Sequence, residues 1–506
     1  MTTAWPALLL LAGVAAGCAG PAPQAVQPDI GLDAADRYAA ADPAAPTPEP
    51  SDLRWWLRFD DAPLTEWVER ALAGAPDIAI ARERVAQADA LLRSARAQRS
   101  PSLVSEASAG YNTRASGGQR RGTRLSAGLI FNWDADLWGG LEQAERSAAA
   151  KLLRSRDLLQ ATRLATAALA ARGVIEYREA VRDAQLLAQG HALQSDVLRV
   201  VRVRFDAGLA PRLDVERAVA DLTAIEADQA TAAARTRQAF AALQLLAGER
   251  PQPPSLQAVA IAPAKETQPK ESQPKESQHA AQETQRAAKK TQHAAQLPAL
   301  RGEQPVGRPL DLLRQRADLR AAERALEAAV ADIGVARAAL HPRLRLPGTL
   351  ALVSGVFNGV LIDTVSASIA AVIDLALFDG GERQAQVDAA ESRAREAAAV
   401  YRQTLLQALG QVESALVGAQ AATARIEALE RSARAAQAAV EDARTLYTAG
   451  LSTFLDVLDA RRTLLTLTRQ QLQAQADSAR LAVATFEALG LVEEADDGPQ
   501  LPAAAS

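Results

Sequence analysis

Aromatic side chains make up only 4% of the 506 residues, and the chain has one cysteine and one methionine. A single cysteine excludes an intrachain disulfide and any cysteine-rich metal centre. There are four histidines, and no metal-ligand spacing connects them. No Ser-His-Asp order, Walker loop or GxGxxG turn is found either, so the sequence calls for neither enzyme, cofactor nor metal. A net charge of −4 gives no reason to expect nucleic acid as a partner. What is abundant is Ala, Leu, Gln, Arg and Glu, a mixture that favours long helices.

Long hydrophobic runs are also missing, apart from one at the N-terminus. Residues 7–16 are small and apolar around Leu8-Leu9-Leu10-Leu11. The run is shorter than the roughly 20 residues a membrane-spanning helix needs, so it reads as an export signal. It ends in Val14-Ala15-Ala16-Gly17-Cys18. Small residues ahead of a lone cysteine resemble the lipobox of bacterial lipoproteins, although Ala15 stands where leucine is usual and the first six residues carry no Lys or Arg. The resemblance implies that Cys18 is lipidated and begins the mature chain. With no second apolar run, a membrane crossing by this chain has to use strands.

The chain is an internal duplication, with blocks recurring at an offset of about 241 residues. Asp77-Ile78 and Pro101-Ser102-Leu103 match Asp318-Leu319 and Pro342-Arg343-Leu344. Asp134, Leu137-Trp138 and Gly140 match Asp374, Leu377-Phe378 and Gly380. Phe205-Asp206-Ala207-Gly208-Leu209 and Leu213-Asp214-Val215 match Tyr447-Thr448-Ala449-Gly450-Leu451 and Leu455-Asp456-Val457. Each half is expected to run helix, two strands, very long helix, tight turn, helix. The spans 141–206 and 382–449 contain no proline. Some 65 helical residues reach roughly 100 Å, which requires coiled-coil or tubular packing. Alanine-rich stripes at steps of three and four, such as Val85, Ala88, Leu92 and Ala95, let neighbouring helices approach closely.

Period-two segments of about ten residues interrupt the helices. In one, Leu125, Ala127, Leu129, Phe131 and Trp133 alternate with Ser126, Gly128, Ile130 and Asn132. In the other, Val365, Ala367, Ile369, Ala371 and Ile373 alternate with Ser366, Ser368, Ala370 and Val372. That is the length a tilted strand needs to cross a bilayer. Their expected partners are 103–112 and 344–354. Four strands cannot close a barrel, and open edges are not tolerated in lipid, so strands from several copies must be pooled.

Residues 262–296 contain no Leu, Ile, Val, Phe, Tyr, Trp or Met and read as a disordered linker. The expected organisation is a signal peptide (1–17), a lipid-anchored extension (18–50) and a first repeat (51–249). A linker (250–305), a second repeat (306–490) and a C-terminal tail (491–506) follow.

Trp55-Trp56-Leu57-Arg58-Phe59, Trp133-Asp134-Ala135-Asp136-Leu137-Trp138-Gly139, Leu377-Phe378-Asp379-Gly380-Gly381 and Asp311-Leu312-Leu313-Arg314-Gln315-Arg316-Ala317-Asp318 stand as separate blocks along the chain. Tyr447-Thr448-Ala449-Gly450-Leu451-Ser452-Thr453-Phe454-Leu455-Asp456-Val457-Leu458-Asp459-Ala460 closes the series. Together they resemble the TolC-like outer-membrane efflux proteins, in particular their lipoprotein branch. The resemblance implies a mainly α mixed fold, in which a long-helix periplasmic tunnel joins a transmembrane β-barrel completed by trimerisation. It implies a homotrimer in the outer-membrane lipid, a periplasmic adaptor and an inner-membrane pump as partners, and passive export of small molecules. The alternative within the class is the outlet of a type I protein-secretion system.

The resemblance also assigns the helix tips. Gly208 and Gly450 follow the longest helices, where glycine accepts the left-handed conformation that ends a helix. Asp456 and Asp459 are three apart and share a helical face. They match the pair that rings the periplasmic aperture, where a ring of carboxylates attracts cations. Asp214 and Tyr447 match positions that latch neighbouring helix pairs, and Ser452 replaces an arginine there. Gly208, Leu209, Gly450, Leu451 and Ser452 form the surface on which the adaptor is expected to dock. Both aspartate sites accept helix formers, so alanine at each is expected to cost little helix stability.

Overall fold

The computed structural model describes residues 37–41, 50–112, 122–253, 296–302, 306–357 and 360–491. The signal peptide, Cys18, most of the linker and all but the first residue of the tail lie outside them.

Helices α1 (Ala62–Gly74) and α2 (Pro76–Ala97) precede strands β1 (Ser102–Asn112) and β2 (Gly122–Ala135), followed by α3 (Gly140–Asp206) and α4 (Arg212–Leu246). A single helical turn, α5 (Leu312–Gln315), opens the second series. It continues with α6 (Ala317–Ala338), β3 (Arg343–Phe357), β4 (Val360–Ile369), β5 (Val372–Asp374), α7 (Glu382–Thr448) and α8 (Phe454–Leu489). The duplication is thus structural. α2 corresponds to α6, α4 to α8, and α3 to α7, the last two having 67 residues each.

The helices start and stop where the sequence punctuates them. Asp61 Oδ1 accepts from the Leu64 backbone N–H at 2.9 Å and caps α1, satisfying a donor that the helix itself leaves unpaired. Gly490, at φ +77°, ends α8, and its N–H donates to the Glu487 carbonyl at 3.1 Å.

The two compact units of the fold do not coincide with the two repeats. Among the described residues each takes a share of both: one unit lies within Glu83–Asp157 and Asp318–Leu405, the other within Leu32–Arg82, Leu158–Ala317 and Leu406–Ser506.

The first unit contains the sheet. All pairs are antiparallel in the order β1-β2-β3-β4, with β5 continuing the β4 edge against β3. The β2–β3 pair joins the repeats along a register running from Gly122↔Phe357 to Ala135↔Leu344. Below the sheet, α2 packs on α3 through Leu92 and Leu152, and α6 packs on α7 through Ile333, Ala390 and Ala394. Lys151 on α3 pairs with Asp332 on α6 at 3.3 Å, and Arg320 with Asp157 at 2.8 Å. The order of helices is therefore α2–α3–α6–α7.

In the second unit, Gly173 on α3 lies against Leu243 on α4, Gly190 against Leu465 on α8, and Gly418 on α7 against Leu481 on α8. These contacts give the matching order α4–α3–α8–α7. Trp55 and Phe486 are fully buried and stacked at 5.5 Å between centroids. The buried Arg178 is paired with the Asp61 carboxylate and donates to the Gln296 carbonyl at 3.0 Å.

Candidate functional site: a membrane sheet and a helix-tip turn pair

Register fixes what each face of the sheet presents. Leu129, Leu350 and Ala367 form one cross-strand row; Ala127, Leu352 and Val365 form the next. Leu103, Phe131, Leu125, Tyr111 and Ile369 share that face, which follows from the two-residue side-chain period. Several of these apolar side chains stand open: Leu103 is 66% exposed, Val365 71% and Ile369 77%. The opposite face carries Glu106 and Arg124 with hydroxyl pairs. Ser108 and Ser126 Oγ meet at 2.7 Å, as do Thr349 Oγ1 and Ser368 Oγ. An apolar outer face backed by a hydroxyl-rich one is the pattern of a lipid-embedded strand lining water. Among the described residues the sheet is open, with β1 and β4 as its edges. No helix of the described residues is long and apolar enough to cross a membrane.

The second site lies where the long helices turn. Gly208 and Gly450 both have positive φ, +72° and +77°. Gly208 N–H donates to Phe205 O at 2.9 Å, and Leu209 N–H to Arg204 O at 2.8 Å; Gly450 and Leu451 repeat this with Tyr447 O (3.0 Å) and Leu446 O (2.9 Å). Each is a paired 5→2 and 6→1 closure that terminates a helix and reverses the chain. Beneath them Leu198, Val201, Ala218, Phe454 and Leu458 form a shared core. Leu209 and Leu451, 70% and 76% exposed, project from it. Ser452 Oγ donates to Ala443 O at 3.5 Å.

The structure sets both turns over this one core, with Tyr447 packed against it. Tyr447 is held within the chain by Phe454 (5.8 Å between centroids) and by Arg204, whose guanidinium lies 4.6 Å over the ring. Asp214 stands in the first turn of α4, its backbone N–H donating to Pro211 O. Asp456 and Asp459 are both exposed on α8. The expectation that alanine costs little helix stability fails at Asp456. Its Oδ2 accepts from both the backbone N–H and the hydroxyl of Thr453, each at 2.8 Å. Those two hydrogen bonds, the hydroxyl's first, hold the Asp456 carboxyl below the usual aspartate range. The residue closes the start of α8.

Pattern reading missed the ion pairs that join the repeats. Arg469 on α8 grips Asp183 on α3 in a two-pronged contact (2.6 and 3.0 Å) and also reaches Asp228 on α4 at 3.0 Å. Arg480 is paired with Glu179, and Arg462 with Asp221. Burial pushes the Glu179 carboxyl up, against the opposing pull of Arg480. The only sequence signal was a set of arginines on one side of the last helix.

An amphipathic open sheet on a frame of 67-residue helices defines a channel-forming outer-membrane protein. The chain belongs to the outer membrane efflux protein family, whose model matches residues 67–249 and 309–491. It is 28% identical over 428 residues to the outer membrane protein OprJ of Pseudomonas aeruginosa, covering 81% of this chain and 80% of that one. It is 26% identical to the cation efflux system protein CusC of Escherichia coli K12, covering 83% and 84%. Among solved structures, the open state of the Neisseria gonorrhoeae MtrE outer membrane channel superposes with a TM-score of 0.74 at 25% identity, covering 93% of this chain and 98% of that one. The chain is an outer-membrane efflux channel protein of mainly helical, mixed fold.

Proposed function

We propose that three copies of this chain close one barrel of twelve strands and one helical tunnel, and that small molecules pass through it without chemical change. The observation that carries this reading is the open β1-β2-β3-β4 sheet with an apolar face and two unpaired edges. Unpaired backbone groups are intolerable in hydrocarbon, and four strands are too few to close. Pairing β1 of one copy with β4 of the next removes every edge.

In this reading the channel is not an enzyme. It receives substrate from a periplasmic adaptor and an inner-membrane pump. The exposed Leu209 and Leu451, on repeat-related turns with Gly208, Gly450 and Ser452, supply an apolar docking rim at the tunnel's inner end. Asp456 and Asp459 ring that opening, and Asp214 and Tyr447 stand where neighbouring helix pairs meet. Relatives of similar identity are named for cations, toluene and pyoverdine, which suits a conduit that does not itself select. Small-molecule efflux is favoured over protein secretion because these relatives bear efflux or export names. Lipidation of Cys18 completes the reading and is checked by the intact mass of the mature protein.

The test is reconstitution of the purified protein into planar bilayers. Discrete conductance steps that disappear with monomeric protein are expected. A well-folded protein that inserts without conductance overturns the reading.

A further inference from the structure

A cavity of about 790 Å³ lies in the second unit, walled by α3, α4 and α8. Its size suits a drug-sized solute, and each helix turns a polar strip towards it. α3 contributes Glu176, Glu179 and Asp183, which share one helical face at steps of three and four. α4 contributes Arg235 and Gln238. These continue the strip that begins with Asp228, and Asp228 already touches Arg469 of α8. The strip therefore faces α8 and not the outer side of α4. α8 contributes Thr466, Gln470 and Gln473 beside Arg469 and Arg480.

The charges around the cavity are not all used. Arg480 holds Glu179, and Arg469 holds Asp183 and Asp228. Glu176 and Arg235 are exposed, and among the described residues neither makes an ion pair or a hydrogen bond. The contact of the Tyr177 ring with Phe240, and the hydrogen bond from Gln229 Nε2 to Leu187 O at 3.3 Å, fix the antiparallel register of α3 and α4. Arg235 then stands opposite residues 181–182 of α3, so Glu176 and Arg235 lie about 8 Å apart along the helix axis. The duplication does not repeat this arrangement. The positions on α7 that match Glu176, Glu179 and Asp183 are Gly418, Ala421 and Arg425.

We propose that the cavity is a binding site in the tunnel wall for zwitterionic solutes, with an ammonium group held at Glu176 and a carboxylate at Arg235. One unpaired charge of each sign calls for a ligand that carries both, and each end gains a charge-assisted hydrogen bond. The amides of Gln238, Gln470 and Gln473 and the hydroxyl of Thr466 serve the polar middle of the solute. The two ion-paired arginines keep the wall in place, so binding orders little that is not already ordered. The direction in which the cavity opens follows from α8. Asp459, Thr463, Thr466, Gln470 and Gln473 are all exposed and follow one another at steps of four and three, so they form one side of the helix. The cavity thus opens on the side that carries Asp459. The inference rests on the reading that Asp456 and Asp459 ring the tunnel opening. A recess in the wall detains a zwitterion in transit without selecting what enters.

The test uses 6-aminohexanoate, whose two charges stand a comparable distance apart, with hexanoate and hexylammonium as single-charge controls. Saturation-transfer NMR on the detergent-solubilised protein reads binding whether or not the channel conducts. 6-Aminohexanoate should bind saturably and more tightly than either control. Glu176→Gln and Arg235→Gln, both at exposed sites, should each weaken it about tenfold. The exchange Glu176→Arg with Arg235→Glu should recover binding, with the ligand reversed. Binding that is absent, or equal in wild type and both single variants, overturns the site. In planar bilayers the same compound should interrupt the current of the wild type and not that of the single variants. Variant-sensitive binding that leaves a conducting channel uninterrupted shows that the cavity opens outside the tunnel, which overturns its place in the wall. A wild type that binds but never conducts overturns the channel reading instead.

Discussion

Gly490 lies directly against Arg316. A Cβ added at Gly490 would come within 2.8 Å of Arg316 Cα and 3.1 Å of its N, and the glycine has φ +77°. Arg316 is itself buried and donates from Nη1 to the Ala488 carbonyl at 2.7 Å. The start of the second repeat is thereby locked to its end. Gly450 has the same φ, but a Cβ added there would meet nothing within 4 Å.

Gly490→Ala therefore carries a backbone cost and a clash with backbone atoms, whereas Gly450→Ala carries the backbone cost alone, about 1–2 kcal/mol. Thermal melting of the two variants should rank Gly490→Ala clearly below Gly450→Ala. Equal melting temperatures would show that the Arg316 contact is not tight.

Tyr38 tests the docked piece of the N-terminal extension. Its side chain is 6% exposed, and its hydroxyl has no hydrogen-bond partner among the described residues. Burial, reinforced by Asp311 and Glu413, pushes the phenol far above its ordinary range. Next to it the Ala40 N–H donates to Glu413 Oε1 at 3.0 Å, and Gln420 Nε2 donates to the Ala40 carbonyl at 2.9 Å. Tyr38→Phe removes an unsatisfied polar atom and should hold or raise the melting temperature. Tyr38→Ala should cost about 3–5 kcal/mol and expose residues 37–41 to protease. A destabilised Tyr38→Phe would mean that the hydroxyl has a partner.

How much of this was readable from the sequence depended on how local each signal was. The strands were, because alternation from Leu125 to Trp133 is itself the two faces of β2. The two turns were, because Gly208 and Gly450 each perform a local closure. The β2–β3 pairing was not: it joins Gly122 to Phe357 with no turn between them to announce it. Arg469–Asp183 and Arg480–Glu179 were equally hidden, since helix periodicity shows a face and not what covers it. Helix α1 comes before the single opening helix that the repeat pattern shows, and Tyr38 falls in a stretch whose composition gives only an extension.

Asp456 gives a pH signature. Its folded-state pKa is lowered, so its contribution is present above the unfolded aspartate value near about 3.9 and is lost as pH falls through the lower folded value. Amide exchange at the start of α8 should accelerate in that acid window. Asp456→Asn, which keeps an acceptor for Thr453 but no titrating charge, should abolish the dependence. Unchanged acid sensitivity in the variant would place its source elsewhere.

Asp456→Asn combined with Asp459→Asn also tests the aperture without destroying the cap. In planar bilayers the double variant should lose cation preference and block by divalent cations while the assembly stays intact. If both persist, the two aspartates serve only the helix start.

The central claim is that the open four-stranded sheet is one third of a closed barrel. Native mass spectrometry of the detergent-solubilised protein tests it most directly. The account predicts a single species of three mature chains; a folded one- or two-chain species as the largest assembly would contradict it.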